Sequence, residues 1–387
     1  MRVALVGDEY YPDIGGGPHY ALDLSLQLVK LGVEVVVVTH AHPGQPEEEE
    51  IDGVRIRRVK GFVLDNPHRA VSPLLLHRCH KYILDGKFDV VHGLDVYSTM
   101  ALRAVRFAHT HGIPCVMTCH TVLDSRLLIL WQRLVGWLFR LAKADRLIAV
   151  SQAAAHYSHL LGFPEKRIAV IPNGVDLSCF NGKIDAFLMR KELGIGDKPL
   201  IVTASRLIKR KSPDLLVSAF AKVLKVIPDA KLVIAGSGRE EDNLSHQARD
   251  LNIANSVSLI GELTKERVAQ LMAAANVFVL PSKVESFGLS LLEASAAAVP
   301  VVCSNAGGVP EVFQNDFNAL LYPPGDDDAM AKAIVQLIQD RELAKKISAN
   351  AVETAKKFTW EMTAERILRV YEEVLQENTS SRSHHRR

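Results

Sequence analysis

Cysteine is scarce and odd in number: Cys79, Cys115, Cys119, Cys179 and Cys303 are scattered over 387 residues. Such a set provides no disulfide framework and points to a reducing compartment. Cys115, Cys119 and His120 lie close in sequence, yet no second Cys/His pair completes a four-ligand set, so no metal site is expected. Net charge is nearly absent: 46 Lys+Arg against 44 Asp+Glu leave +2, and nothing in that balance suggests nucleic acid as a partner. No apolar run approaches the ~18 residues that suggest a membrane span. The opening Met1-Arg2-Val3-Ala4-Leu5-Val6-Gly7-Asp8 reads as a strand entering a turn, not as a signal peptide. The G-x-G-x-x-G spacing of a dinucleotide fingerprint is missing after that strand, and the next strand ends in Thr39-His40 rather than in an acid.

What is present is an ordinary globular composition, 48% hydrophobic and 23% charged, in a chain long enough for two sizeable domains. Apolar, β-branched runs at Val3–Val6, Val33–Thr39, Val54–Val59, Asp89–His92, Pro114–Thr118, Arg146–Val150 and Ile168–Ile171 alternate with helical stretches. An acidic loop is expected at Glu47–Glu50. A second series follows at Leu200–Ala204, Lys231–Ala235, Val257–Ile260, Val277–Leu280 and Val301–Cys303. Near-continuous apolar strands separated by helices imply parallel sheets covered on both faces. The fold class is therefore α/β, with two doubly wound Rossmann-like domains and a cleft between them. The expected boundaries are an N-terminal domain over 1–175, a linker region over 176–198 and a C-terminal domain over 199–357. A helix is expected over 358–377, and a disordered tail over 378–387.

Ligands on such sheets bind beyond the carboxyl ends of the strands, so the residues just after strands are the candidates. Pro281-Ser-Lys-Val-Glu-Ser-Phe-Gly-Leu-Ser-Leu-Leu-Glu293 follows Val277–Leu280. It places Glu285 in a turn and Glu293 inside the next helix, whose N-terminal amides and dipole favour an anion. A molecule with sugar hydroxyls, phosphates and ribose hydroxyls in that order, a nucleotide-sugar, fits this stretch. After Leu200–Ala204, Arg206 and Lys211 flank a turn into a helix begun by Ser212-Pro213, with Ser212 as the expected cap. Two cations there can neutralise a diphosphate, the Arg through paired donors and the Lys as a point charge. Gly15, Gly16 and Gly17 after the first strand let backbone approach a phosphate or sugar. Gly236-Ser237-Gly238, Ile260 with Gly261, and Gly307-Gly308 occupy equivalent turns, although turns also simply need glycine. His120 follows the strand Pro114–Thr118, at the mouth of the expected cleft.

Glu285-x7-Glu293, Arg206 with Lys211, Gly15-Gly16, Ile171-Pro172-Asn173-Gly174-Val175-Asp176 and Gly307-Gly308-Val309-Pro310-Glu311 together resemble a retaining glycosyltransferase of family 4 with the GT-B fold. The resemblance runs from about Met1 to Leu375 and implies that the helix over 358–377 crosses back to the first domain. The opening Tyr11-Pro12-Asp13-Ile14-Gly15-Gly16 and Val38-Thr39-His40-Ala41 are similar to the catalytic subunit that adds N-acetylglucosamine to phosphatidylinositol, and to bacterial phosphatidylinositol mannosyltransferases. One departure stands out: Tyr20 occupies a position where many relatives carry histidine.

The resemblance implies roles. Arg206 and Lys211 bind the donor diphosphate and stabilise it as it leaves. Glu285 binds donor-sugar hydroxyls, with the backbone of Ser286, Phe287, Gly288 and Leu289 close by, and Glu293 binds the ribose. Gly16 lets the first domain close over the phosphates, and His120 contacts the sugar from that side. Same-face substitution without a protein nucleophile is implied. No cofactor is expected beyond a UDP- or GDP-sugar as substrate, and no metal, since no Asp-x-Asp motif stands beside a nucleotide site. The acceptor class is a sugar, a lipid or a polyisoprenoid-linked hydroxyl.

A helix over 124–146 carries Trp131, Trp137 and Phe139 among Arg126, Arg133, Arg140, Lys143 and Arg146. Between Asn66 and Arg146, 11 Lys/Arg face 5 Asp/Glu. Such a basic amphipathic helix suits a membrane interface, or equally a core helix with a wet face. The expected location is cytoplasmic, extending to the inner face of the membrane in the first case. Rival readings are a non-catalytic nucleotide-sugar binding protein, and an epimerase or phosphorylase on the same architecture.

Overall fold

The computed structural model describes residues 1–13, 15–61, 63–64, 70–122, 143–180 and 185–385. The chain divides into two compact units, Met1–Asn173 with Trp360–Arg387, and Gly174–Thr359.

In the first unit the strands are β1 (Arg2–Val6), β2 (Glu34–His40), β3 (Glu48–Ile51), β4 (Val54–Val59), β5 (Val63–Leu64), β6 (Ala70–Val71), β7 (Val90–Gly93), β8 (Cys115–Cys119), β9 (Arg146–Ala149) and β10 (Ile168–Val170). Eight of them form one sheet in the order β10-β9-β8-β7-β1-β2-β4-β3, and β5 pairs with β6 separately. Valines of β1 and β2 are fully buried, as a sheet covered on both faces demands. Helix Gly16–Lys30 covers one face. Trp360, Ile367, Tyr371 and Val374 of the long helix Trp360–His385 join the same core as Leu5, Leu24 and Ile56.

The acidic run is not a loop. It is β3, antiparallel to β4, with Glu48 opposite Arg57 and Glu50 opposite Arg55. Arg57 is paired with Glu48, and the nearly buried Arg58 reaches Glu49 at 2.6 Å. Opposite charges directly across two strands hold an edge that hydrophobic alternation cannot reveal. The segment 378–385, expected to be disordered, continues the last helix to His385. There Thr379 and Ser380 donate their hydroxyls to the carbonyls of Leu375 and Gln376, both at 2.9 Å, and Asn378 reaches the Gly112 carbonyl at 3.3 Å. Residues 124–142 of the expected amphipathic helix over 124–146 lie outside the described residues, and Arg146 opens β9 instead of ending a helix. Among the described residues, no helix is long and apolar enough to cross a membrane.

The second unit contains β11 (Leu200–Ala204), β12 (Lys231–Ala235), β13 (Val257–Leu259), β14 (Val277–Leu280), β15 (Val301–Ser304) and β16 (Leu320–Tyr322). They form one sheet in the order β13-β12-β11-β14-β15-β16, and every pairing is parallel. Helices Pro213–Val223 and Asp327–Gln339 pack Phe220, Val223, Met330 and Ile334 against Ile201, Leu232 and Val302.

Candidate functional site

Strand order decides where a ligand can sit. In the second unit the chain runs outward from β11 through β12 to β13, then returns to β14 and runs outward on the other side. The reversal lies between β11 and β14, where the loops leaving the two strands part and open a crevice at the carboxyl edge. Those two loops carry Arg206, Lys211 and Glu285.

They meet across the crevice. Lys211 donates its ammonium to Glu285 Oε2 at 2.5 Å, with side chains only 16% and 11% exposed. Ser282, fully buried, donates its hydroxyl to the same oxygen at 3.1 Å. Ser304, at the end of β15, donates in turn to the Ser282 carbonyl. Glu285 Oε1 accepts only the adjacent Ser286 amide, at 3.2 Å, among the described residues. Burial pushes the Glu285 carboxyl up, but the charge and hydrogen bond of Lys211, the charge of Arg210 and the Ser282 hydroxyl outweigh it. The acid is held below the usual carboxylate range and is ionised at neutral pH. Arg206 is exposed, and its guanidinium has no hydrogen bond or ion pair among the described residues.

Glycines from the neighbouring turns support both loops. A Cβ on Gly307, at φ +55°, would lie 1.9 Å from the Glu285 carbonyl oxygen, and the Gly308 amide donates to that same oxygen at 3.0 Å. A Cβ on Gly236 would lie 2.0 Å from the Ser205 carbonyl oxygen, and one on Gly238 would lie 2.3 Å from that of Leu207. These glycines therefore answer first to the backbone of the two site loops. Ile260 and Gly261 follow β13, the outer strand, and the Gly261 carbonyl accepts from Gly236 at 2.7 Å.

Beyond Glu285, buried Phe287 sets its ring on Phe358 with centroids 6.0 Å apart. Gly288, at φ +88°, then turns the chain into helix Leu289–Ala296 with no side-chain cap. The first amides of that helix, starting at Leu289, are left to an outside acceptor. Glu293 is the fifth residue of the helix and is half-buried. Ser212 departs from expectation. It is left-handed, at φ 48° and ψ 48°, and its hydroxyl returns to the Lys209 carbonyl at 3.3 Å without capping a helix amide. Pro213 does stand at the first helical turn, so the proline signal held where the serine signal did not.

The first unit has its own reversal, between β1 and β7. Gly15, at φ +147°, caps helix Gly16–Lys30 without a side chain, and a Cβ on Gly16 or Gly17 would meet nothing within 4 Å. His120 follows β8 on the same carboxyl edge. Its Nε2 is buried without a hydrogen-bond partner, and burial pushes its pKa down to about 4, so the ring is neutral at pH 7. Tyr20 is buried and meets the His120 ring edge-on at 4.2 Å, and then Trp360 at 5.5 Å. The residue that departs from the family pattern is thus a packing partner of His120.

Sequence reasoning passed over His92. It is fully buried in β7, 2.6 Å from the Tyr371 hydroxyl through Nδ1 and 2.6 Å from Thr118 Oγ1 through Nε2. It ties the last helix to β7 and β8, and only a long-range contact could have revealed it.

Two doubly wound units, one with an acid–lysine pair at the switch point of its sheet, define a GT-B glycosyltransferase. Residues 14–178 match the family described as Glycosyltransferase Family 4, and residues 185–354 match Glycosyl transferases group 1. A D-inositol 3-phosphate glycosyltransferase of Frankia alni is 32% identical over 391 aligned positions, covering 94% of this chain and 95% of that one. A phosphatidylinositol N-acetylglucosaminyltransferase subunit of Arabidopsis thaliana is 29% identical, covering 97% and 82%. Among solved structures, Anabaena HepE in complex with UDP and glucose superposes with a TM-score of 0.81 at 20% identity, covering 96% of this chain and 99% of that one. The sucrose-phosphate synthase of Thermosynechococcus elongatus superposes with a TM-score of 0.80 at 22% identity, covering 97% and 100%. The chain belongs to glycosyltransferase family 4.

Proposed function

We propose that this glycosyltransferase moves a sugar from a nucleotide-sugar to a hydroxyl of an inositol-bearing acceptor, with retention of anomeric configuration and without a metal ion. The observation that carries the donor side is the Lys211–Glu285 pair, at 2.5 Å across the switch point of the second sheet. Lys211, Arg206 and the uncapped helix end at Leu289 supply positive charge and amides for a diphosphate. Glu285 Oε1, which accepts a single amide among the described residues, keeps acceptor capacity for a sugar hydroxyl, and Glu293 on the following helix is assigned to the ribose. HepE was solved with UDP and glucose, which supports a uridine donor.

In this reading the developing charge on the departing nucleotide is met by Arg206 and Lys211, and a phosphate oxygen of that group takes the acceptor proton. Neutral His120, with its unpartnered Nε2, is assigned to a donor-sugar hydroxyl. Gly16 and Gly17 leave open space for a phosphate or an acceptor, with Gly15 turning the chain into their helix. The names of two relatives share inositol as acceptor, one free and phosphorylated, the other lipid-linked. The proposed location is cytoplasmic, at the inner face of the membrane for a lipid-linked acceptor; all five cysteines are free thiols, which supports a reducing compartment.

The test is thermal stabilisation by a panel of nucleotide-sugars, followed by product analysis with inositol phosphates and with phosphatidylinositol vesicles. Transfer to an inositol hydroxyl, with the product sugar in the donor's anomeric configuration, is the expected outcome. Conversion of the donor with no acceptor present would instead favour an epimerase.

A further inference from the structure

We propose that His109, Cys115 and Asp145 form a binding site for a soft divalent cation of the zinc class at the amino edge of the first sheet. His109 is in the last turn of helix Thr99–Thr110, Cys115 is the first residue of β8, and Asp145 immediately precedes β9. One imidazole nitrogen, the thiol sulfur and one carboxylate oxygen all lie within 4.8 Å of one another. The donors of a tetrahedral zinc ion, at ~2.0–2.3 Å from the metal, stand roughly 3.5 Å apart, so a small rotation of His109 closes the set.

Two of the three ligands are already held. The Asp145 amide donates to the Cys115 carbonyl, and the Cys115 amide donates to Asp145 Oδ2, both at 2.8 Å. The carboxylate is thereby oriented beside the buried thiol, as partners of metal ligands usually are. The local charge balance asks for a cation. Asp145 has no cationic partner among the described residues, because Arg146 turns its guanidinium to the Asp145 carbonyl and to Glu377. The acidic trio Asp326-Asp327-Asp328 differs in this respect, since Lys222 already pairs with Asp327 and Asp328. The His109 ring has no hydrogen bond among the described residues. The Cys115 thiol points its proton at the Lys143 carbonyl, 3.7 Å away.

One sulfur, one nitrogen and one oxygen suit zinc or cobalt(II) and not magnesium or calcium. The binding step balances simply: the Cys115 sulfur–hydrogen bond breaks, the proton passes to solvent, and a sulfur–metal bond forms while His109 binds neutral and Asp145 ionised. The Lys143 carbonyl or a water completes the fourth position. The site lies on the edge opposite the carboxyl ends that carry Gly15 and His120, so the ion would clamp β8 and β9 to the preceding helix and leave transfer alone.

Full-length protein cleared of metal by a chelator is titrated with cobalt(II). The expected results are a thiolate-to-cobalt absorption saturating at one equivalent, one proton released per ion, displacement by zinc, and a raised Tm. Cys115→Ser should lose the absorption, and His109→Ala, at a half-exposed helix end, should weaken binding by about tenfold or more. No absorption at one equivalent, or an absorption that persists in Cys115→Ser, overturns the proposal. If Cys115→Ser does not fold, an unchanged cobalt affinity in His109→Ala overturns it instead.

Discussion

Replacing Glu285 by glutamine should tighten binding of the bare nucleoside diphosphate while slowing transfer by roughly ten- to 150-fold. In the proposed reading the acid and the phosphates would draw on the same cation: Lys211 already donates to Glu285 Oε2 at 2.5 Å, in a setting where both side chains are mostly buried. Two unit charges ~4 Å apart interact by about 4 kcal/mol at an effective dielectric of ~20. A diphosphate arriving at Lys211 meets an ammonium whose field is largely cancelled. If a quarter to a half of that cancellation is felt at the phosphate, neutralising Glu285 returns about 1–2 kcal/mol, or roughly five- to thirtyfold in Kd. Glutamine keeps the length of the side chain and an oxygen for the Ser282 hydroxyl, so the loop retains its shape. Transfer should nevertheless fall, because the hydroxyl-accepting carboxylate is gone. A hydrogen bond to a charged group is worth about 1.5–3 kcal/mol, or roughly ten- to 150-fold in rate.

Calorimetry with the nucleoside diphosphate measures the first effect, and product formation at saturating donor measures the second. Unchanged or weaker binding in a folded Glu285→Gln protein would refute the idea that acid and phosphate share Lys211. Unchanged binding together with lost transfer would leave Glu285 at the sugar and place the phosphate elsewhere.

Arg206→Ala should change stability by no more than about 0.5 kcal/mol, since the side chain is exposed and partnerless among the described residues, yet cost roughly a hundred- to a thousandfold in transfer; near-normal turnover would remove it from the leaving group. Activity should survive exhaustive chelation with EDTA, and restoration by added magnesium after a loss would show that a metal holds the diphosphate. Acid should weaken the first unit through His92: burial pushes its pKa from 6.5 down to about 3, so between those values the unfolded chain binds a proton that the folded one refuses. Stability is then full above pH 6.5 and declines toward pH 3, and a Tm series should show a flatter decline in His92→Gln; an identical slope would assign the acid sensitivity to other groups.

Much of the fold was legible because both sheets are parallel apart from the β3 edge. Strands buried on two faces read as short continuous apolar runs, and β1, β2, β7, β11, β12, β14 and β15 each carry one. What failed to read were two of the four sheet edges, β3 and β16. β3 is Glu-Glu-Glu-Ile, a sequence with no strand propensity of its own, and it exists because arginines of β4 lie across from it. β16, Leu-Leu-Tyr, is too short to announce itself and pairs only with β15. The tail over 378–387 looked polar and unstructured, but a helix already docked by Trp360 and Tyr371 has overcome its nucleation cost and can extend to His385 through residues that would not start one.

For the site, strand ends were enough to place the loops but not to pair their members. The rule that ligands gather beyond carboxyl ends nominated Arg206, Lys211 and Glu285 together, but gave the lysine to the phosphate and the acid to the sugar as if each acted alone. The contact between them depends on strand order, and order is a property of long-range pairing: β11 and β14 are adjacent although 72 residues separate Ala204 from Val277, with β12 and β13 intervening in the chain. Once they are neighbours, a lysine seven residues beyond one strand and a glutamate five beyond the other face each other across the crevice. Gly307 then holds the glutamate loop where no side chain would let it lie. In the proposed reading the pair would couple the two halves of a nucleotide-sugar through one ammonium, so that the charge released when the sugar leaves would arrive at the cation the sugar-binding acid was holding.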